Sequence, residues 1–82
     1  MLKKAPPSGT LLRVSCDDGY ALVTFTFPEV RYAQEIQAGE FVVYLGKEPK
    51  DNHNKVHHKL FFNEQIVYDT EQALLAEYEV VS

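Results

Sequence analysis

The chain has 82 residues, 45% of them hydrophobic, and carries 12 acidic against eight basic side chains for a net charge of −4 at pH 7. That length holds one domain with a small core, its apolar share is that of a folded globular protein, and its acidity argues against a general duplex-DNA binder, which needs clustered Lys and Arg. A single cysteine, Cys16, excludes an internal disulfide, and no apolar run is long enough to span a bilayer, so a cytoplasmic location with no membrane partner is expected.

The two lysines of MLKKAPPSGT are not followed by an apolar segment, so the start does not read as a secretory signal. Pro6, Pro7, Ser8 and Gly9 break regular structure. Residues 1–9 are therefore expected as a flexible arm and residues 10–82 as a single domain. In LLRVSC, residues 11–16, Leu12, Val14 and Cys16 alternate with Arg13 and Ser15 as on a strand. Asp17-Asp18-Gly19 has the residues of a turn. After it, YALVTFTF (residues 20–27) sets Ala21, Val23, Phe25 and Phe27 on one face and Tyr20, Leu22, Thr24 and Thr26 on the other. The two strands read as a hairpin, ended by Pro28, which cannot donate to a ladder. Residues 28–39 fit neither period and are expected as an extended connector with a short helical turn near residues 32–37.

EFVVYLG, residues 40–46, is apolar on both faces, with Phe41, Val43 and Leu45 alternating with Val42 and Tyr44. Such a strand is central or covered on both sides. Pro49, Asp51, Asn52 and Asn54 make residues 47–56 an exposed loop. A strand resumes at His57 through HHKLFF, turns at Asn63-Glu64-Gln65 without the glycine of a tight hairpin, and returns as IVY, residues 66–68. Asp69 or Thr70 then caps a short helix over residues 70–76, with Gln72 three positions after Asp69 as in a capping box. YEVV, residues 78–81, reads as the last strand.

Five to six short antiparallel strands in 80 residues leave few architectures. Closing them into a small barrel removes exposed edges and encloses Phe25, Phe27, Phe41, Val43, Leu60 and Phe62. The order of a hairpin, a long loop, the Gly-led strand AGEFVVYLG, a second hairpin, the turn TEQALL and terminal YEVV resembles the SH3-like small barrel over residues 10–81. In style the chain is also similar to small uncharacterised proteins carried by phages and mobile elements. The chain has no Trp and so lacks the aromatic groove with which signalling SH3 domains hold Pro-rich peptides. What the resemblance implies is a binding module: barrels of this shape dock RNA, chromatin or protein subunits.

The chemistry-bearing residues crowd into KEPKDNHNKVHHKLFF, residues 47–62. On a strand His57 and His58 point to opposite faces, so with His53 at most two histidines converge, short of the four ligands of a structural zinc site. The histidines are expected on an exposed loop, and no metal or other cofactor is expected. Lys47, Lys50, Lys55 and Lys59, beside Tyr44, Phe61 and Phe62, are the candidate platform for a single nucleic-acid strand. From residue 47 to 59 four Lys face two acids, whereas residues 60–82 carry five acids and no base. Cys16 lacks a cationic neighbour to make it a thiolate, and the chain has neither a phosphate loop nor a nucleophile elbow, so neither catalysis nor a small-molecule substrate is expected. The leading expectation is a protein-interaction or assembly module, with a homodimer as one form, using Tyr20, Leu22, Val42, Tyr44 and Val67 as an outer apolar face. Nucleic-acid binding through the four lysines is the alternative.

Overall fold

The computed structural model describes residues 2–25, 33–49 and 54–81. Among them seven strands, all paired antiparallel, form one open sheet: β1 (Leu11–Val14), β2 (Tyr20–Thr24), β3 (Ala33–Gln37), β4 (Phe41–Lys47), β5 (His57–Phe62), β6 (Gln65–Thr70) and β7 (Tyr78–Val80). One helix, α1 (Glu71–Glu77), joins β6 to β7. The strand order is β3-β2-β6-β5-β4-β1-β7. The mainly β class and the short helix before the last strand stand as expected. Closure does not: the sheet runs from an edge at β3 to an edge at β7, so the pairings describe no barrel. Among the described residues, no helix is long and apolar enough to cross a membrane.

Two expectations about connectivity are corrected. Residues 33–37 are a strand, neither connector nor helical turn. AQEIQ has one inward apolar side chain, Ile36, too sparse a signal for alternation to show. It is extended because it pairs with all of β2, from Tyr20↔Gln37 to Thr24↔Ala33. The second correction is the first hairpin. Asp17-Asp18-Gly19 does turn the chain, with Gly19 at φ +88 and its N–H donating to the Cys16 carbonyl at 3.1 Å. Yet β1 pairs with β4 and β7, and β2 with β3 and β6. Both edges of β1 are thus taken by distant strands. Turn chemistry marks where the chain reverses and leaves open which strand it then lies beside.

The β5–β6 hairpin is tighter than the sequence suggests. Asn63 and Glu64 both take positive φ, +52 and +64, between the paired residues Phe62 and Gln65. That is the two-residue turn whose twist matches its strands, here made without glycine. At the end of β6 the Thr70 side chain accepts from the Ala73 N–H at 3.2 Å and starts α1. The helix stops where Tyr78 returns to extended backbone as the first residue of β7.

Burial of Leu12, Val14, Ala21, Val23, Leu60 and Tyr78 follows the expected alternation, and Leu74 of α1 closes over the same core. A fully buried side chain of this size contributes about 1.5–3 kcal/mol. In β4 the alternation is inverted: Val42 and Tyr44 are core, Val43 and Leu45 are half-buried, and Phe41 is exposed. With no polar residue to mark its outer face, β4 takes its sidedness from register. Val43 lies opposite Leu11 on β1 and Phe61 on β5, and a slip of one residue would exchange the faces. Val67 is likewise inside, where an outer position was expected. Leu60 and Phe62 face inward as expected, Phe25 packs partly against the core, and Phe27 lies outside the described residues. Residues 2–9 run alongside the domain: the Leu2 N–H donates to the Leu75 carbonyl of α1 at 2.8 Å, and the Gly9 N–H to the Tyr44 carbonyl of β4 at 2.6 Å.

Candidate functional site

The register that hides Val42 and Tyr44 builds a different outer surface. Leu11, Val43, Phe61 and Ile66 are cross-strand partners in sequence over β1, β4, β5 and β6. They form one apolar row, with Phe41 the next outward side chain along β4. Leu11, Phe41, Phe61 and Ile66 are between 40% and 52% exposed. The row is flanked by ion pairs closed within the chain. Arg13, opposite Phe41, is hydrogen-bonded to Glu79 of β7, and Lys59, two residues before Phe61, lies 3.0 Å from Glu48.

The five side chains expected on an apolar outer face are divided by the fold. Tyr20 and Leu22 are exposed on β2, where their neighbours on β3 are Gln37 and Glu35. Val42, Tyr44 and Val67 are buried and present no surface. The row took their place, and its residues were visible in the sequence only as one half of strands apolar on both sides. Of the four lysines, Lys47 ends β4, Lys55 precedes β5, Lys59 is engaged by Glu48, and Lys50 lies outside the described residues.

The strand resumes at His57 as expected, but the expected exposure of the histidines is corrected for two of the three. His57 and His58 open β5 and both are buried; His53 lies outside the described residues. His58 sits between Tyr44, whose O–H donates to Nδ1 at 2.7 Å, and Glu71 of α1, 3.2 Å from Nε2. Neutral imidazole protonated on Nε2 satisfies both contacts. Burial lowers the His58 pKa, opposed by the bond to Glu71, and burial raises that of Tyr44. A second buried pair lies beside it in β6. Asp69, opposite His58 in the sheet, accepts from the Tyr78 O–H at 3.0 Å and the Thr70 N–H at 2.8 Å. Burial pushes its carboxyl up to about 7 against those two donors, and the nearby Glu77 adds to the rise. Burial, then Asp69, raises Tyr78 as well.

These groups tie α1 and β7 to the sheet. Tyr44 and His58 hold the first turn of the helix through Glu71, and Asp69 holds the residue just after it. Among the described residues no group of three or more His, Cys, Asp or Glu gathers in a way that could hold a metal ion. Cys16 is half-buried, donates to the Tyr20 carbonyl at 2.7 Å, and has its thiol pKa raised by burial and then by Glu77. A thiol so placed is held in its unreactive, protonated form. One groove beside it is lined by Ser15, Asp17, Asp18, Ala76 and Glu77, and another by Arg13, Ala38, Gly39 and Glu79. No family model, curated protein or solved structure matches the chain.

Proposed function

We propose that the chain is a non-enzymatic protein-interaction module whose contact surface is the apolar row across β1, β4, β5 and β6. The observation that carries this reading is the row itself: Leu11, Val43, Phe61 and Ile66 aligned by register over four adjacent strands, with Leu11, Phe61, Ile66 and the neighbouring Phe41 40–52% exposed. The largest contiguous apolar patch of a small protein is often functional, whereas scattered exposed apolar residues carry no such meaning. The meander β4-β5-β6 followed by α1 and β7 matches the second half of the order in the SH3-like resemblance; the first hairpin and the closure do not. A reducing, cytoplasmic setting belongs to the same reading and rests on the lone cysteine.

Nucleic-acid binding through Lys47, Lys50, Lys55 and Lys59 is the competing reading. It is weakened by the closed Lys59–Glu48 pair and by the net charge of −4, because phosphate affinity scales with available cations. The two readings separate in one titration of labelled single- and double-stranded oligonucleotides at two salt concentrations. The interaction reading expects no binding at micromolar protein. Salt-sensitive micromolar binding, abolished by changing Lys50, Lys55 and Lys59 to Glu, would replace it with the nucleic-acid reading.

A further inference from the structure

We infer that the partner seated on this row is a second copy of the same chain, the two outer faces packing against each other about a two-fold axis. The inference rests on the contact-surface reading above and adds the identity of the occupant.

Three observations carry it. The first is charge. Arg13 and Glu79 on one flank, and Lys59 and Glu48 on the other, are each paired within the chain. The charges that flank the row on these two sides are thus satisfied within the chain. A neutral apolar face is complementary to itself, and an isologous pairing sets the same patch on both sides. The acids Asp17, Asp18 and Glu77, which would repel a copy, gather instead at a groove between the β1–β2 turn and the end of α1.

The second is area. Four side chains at 40–52% exposure present about 350 Å² of apolar surface, taking roughly 200 Å² for a large side chain. Two such faces bury about 700 Å², which at an apolar share near 60% corresponds to an interface of about 1,200 Å², the lower bound for stable specific complexes.

The third is that the described part of the N-terminal arm is engaged elsewhere. Leu2 is bonded to Leu75 of α1 and packs with Ala5 against the core. The Ser8 hydroxyl donates to the Leu45 carbonyl and the Gly9 N–H to that of Tyr44, so residues 8 and 9 follow the strand direction of β1 beside β4. Strand β3, from the other long connector, is at the far edge of the sheet.

The test is sedimentation equilibrium on the intact chain from micromolar to millimolar concentration, with circular dichroism to verify folding. The expected result is a reversible dimer. Phe61→Asp and Ile66→Asp each weaken it about 100-fold or more, because a two-fold interface contains every substitution twice and central apolar contacts dominate the affinity. Leu22→Asp, at a position more exposed than either but on β2, leaves the dimer intact. A dimer broken by Leu22→Asp and spared by Phe61→Asp overturns the assignment of the face. A chain that stays monomeric at millimolar concentration overturns the second copy. An NMR titration of that monomer with an amphipathic helical peptide then separates the two ideas. Shifts confined to the outward positions of β4, β5 and β6 keep the contact surface and sink only the self-pairing; their absence sinks both.

Discussion

Asp69 gives the sharpest quantitative prediction. Its carboxyl is buried, with a pKa raised from 3.8 to about 7 in the folded chain. A carboxyl that binds its proton more tightly when folded makes stability fall as pH rises. The full contribution is present below the unfolded value, near 4, and is lost as pH climbs through about 7. At about 1.4 kcal/mol per pH unit of difference, the loss amounts to about 4 kcal/mol by pH 8. That is comparable to the whole stability of a domain this small. The Tyr78 O–H donates to one carboxyl oxygen and the Thr70 N–H to the other, and burial outweighs these two donors in favouring the protonated form. Asn at position 69 is neutral at every pH and keeps an oxygen for the Thr70 N–H, with its amide nitrogen donating to Tyr78 Oη in place of the bond that Tyr78 donates to Asp69. Urea unfolding of the wild type and Asp69→Asn at pH 4, 6 and 8 therefore shows a stability gap that is small at pH 4. The gap widens in favour of the variant as pH rises, towards about 4 kcal/mol. A gap that stays constant from pH 4 to 8, or one that turns in favour of the wild type at high pH, would refute the reasoning. The second outcome would mean that the two donors outweigh burial and hold Asp69 ionised.

Three further changes probe how the helix and the first turn are held. Tyr44→Phe removes the donor to buried His58 Nδ1 and is expected to cost about 1–3 kcal/mol, read from the denaturant midpoint at unchanged slope. Thr70→Ala removes the side-chain oxygen that accepts from the Ala73 N–H; the expected loss is about 1 kcal/mol in the same assay. Gly19→Ala introduces a side chain at φ +88 with no atom within 4 Å of the new carbon. Its cost is therefore backbone strain alone, about 1–2 kcal/mol by thermal unfolding.

Much of the strand content and the capping of α1 could be read locally. Leu12 and Val14 announce their face because Arg13 is polar, and Leu60 and Phe62 announce theirs because Lys59 is charged. Thr70 caps from its own side chain, and the mainly β class follows from aromatic and β-branched residues between turn signals. These are properties of a residue and its near neighbours, which is why sequence carries them. Three things were settled only by tertiary structure. Strand β3 exists because β2 offers it an edge. The β1–β2 turn separates two strands because β4 and β7 already occupy both sides of β1. The sidedness of β4 and β6, and with it the contact surface, follows from register, since Phe41-Val42-Val43-Tyr44 and Ile66-Val67-Tyr68 are apolar whichever way they face. In β6 the orientation that hides Val67 also buries Asp69, a choice that looks costly along the chain. Hydrogen bonds from Tyr78, nine residues away, and from the Thr70 backbone stabilise it. Alternation limits each of these strands to two orientations; the partner across the sheet decides between them.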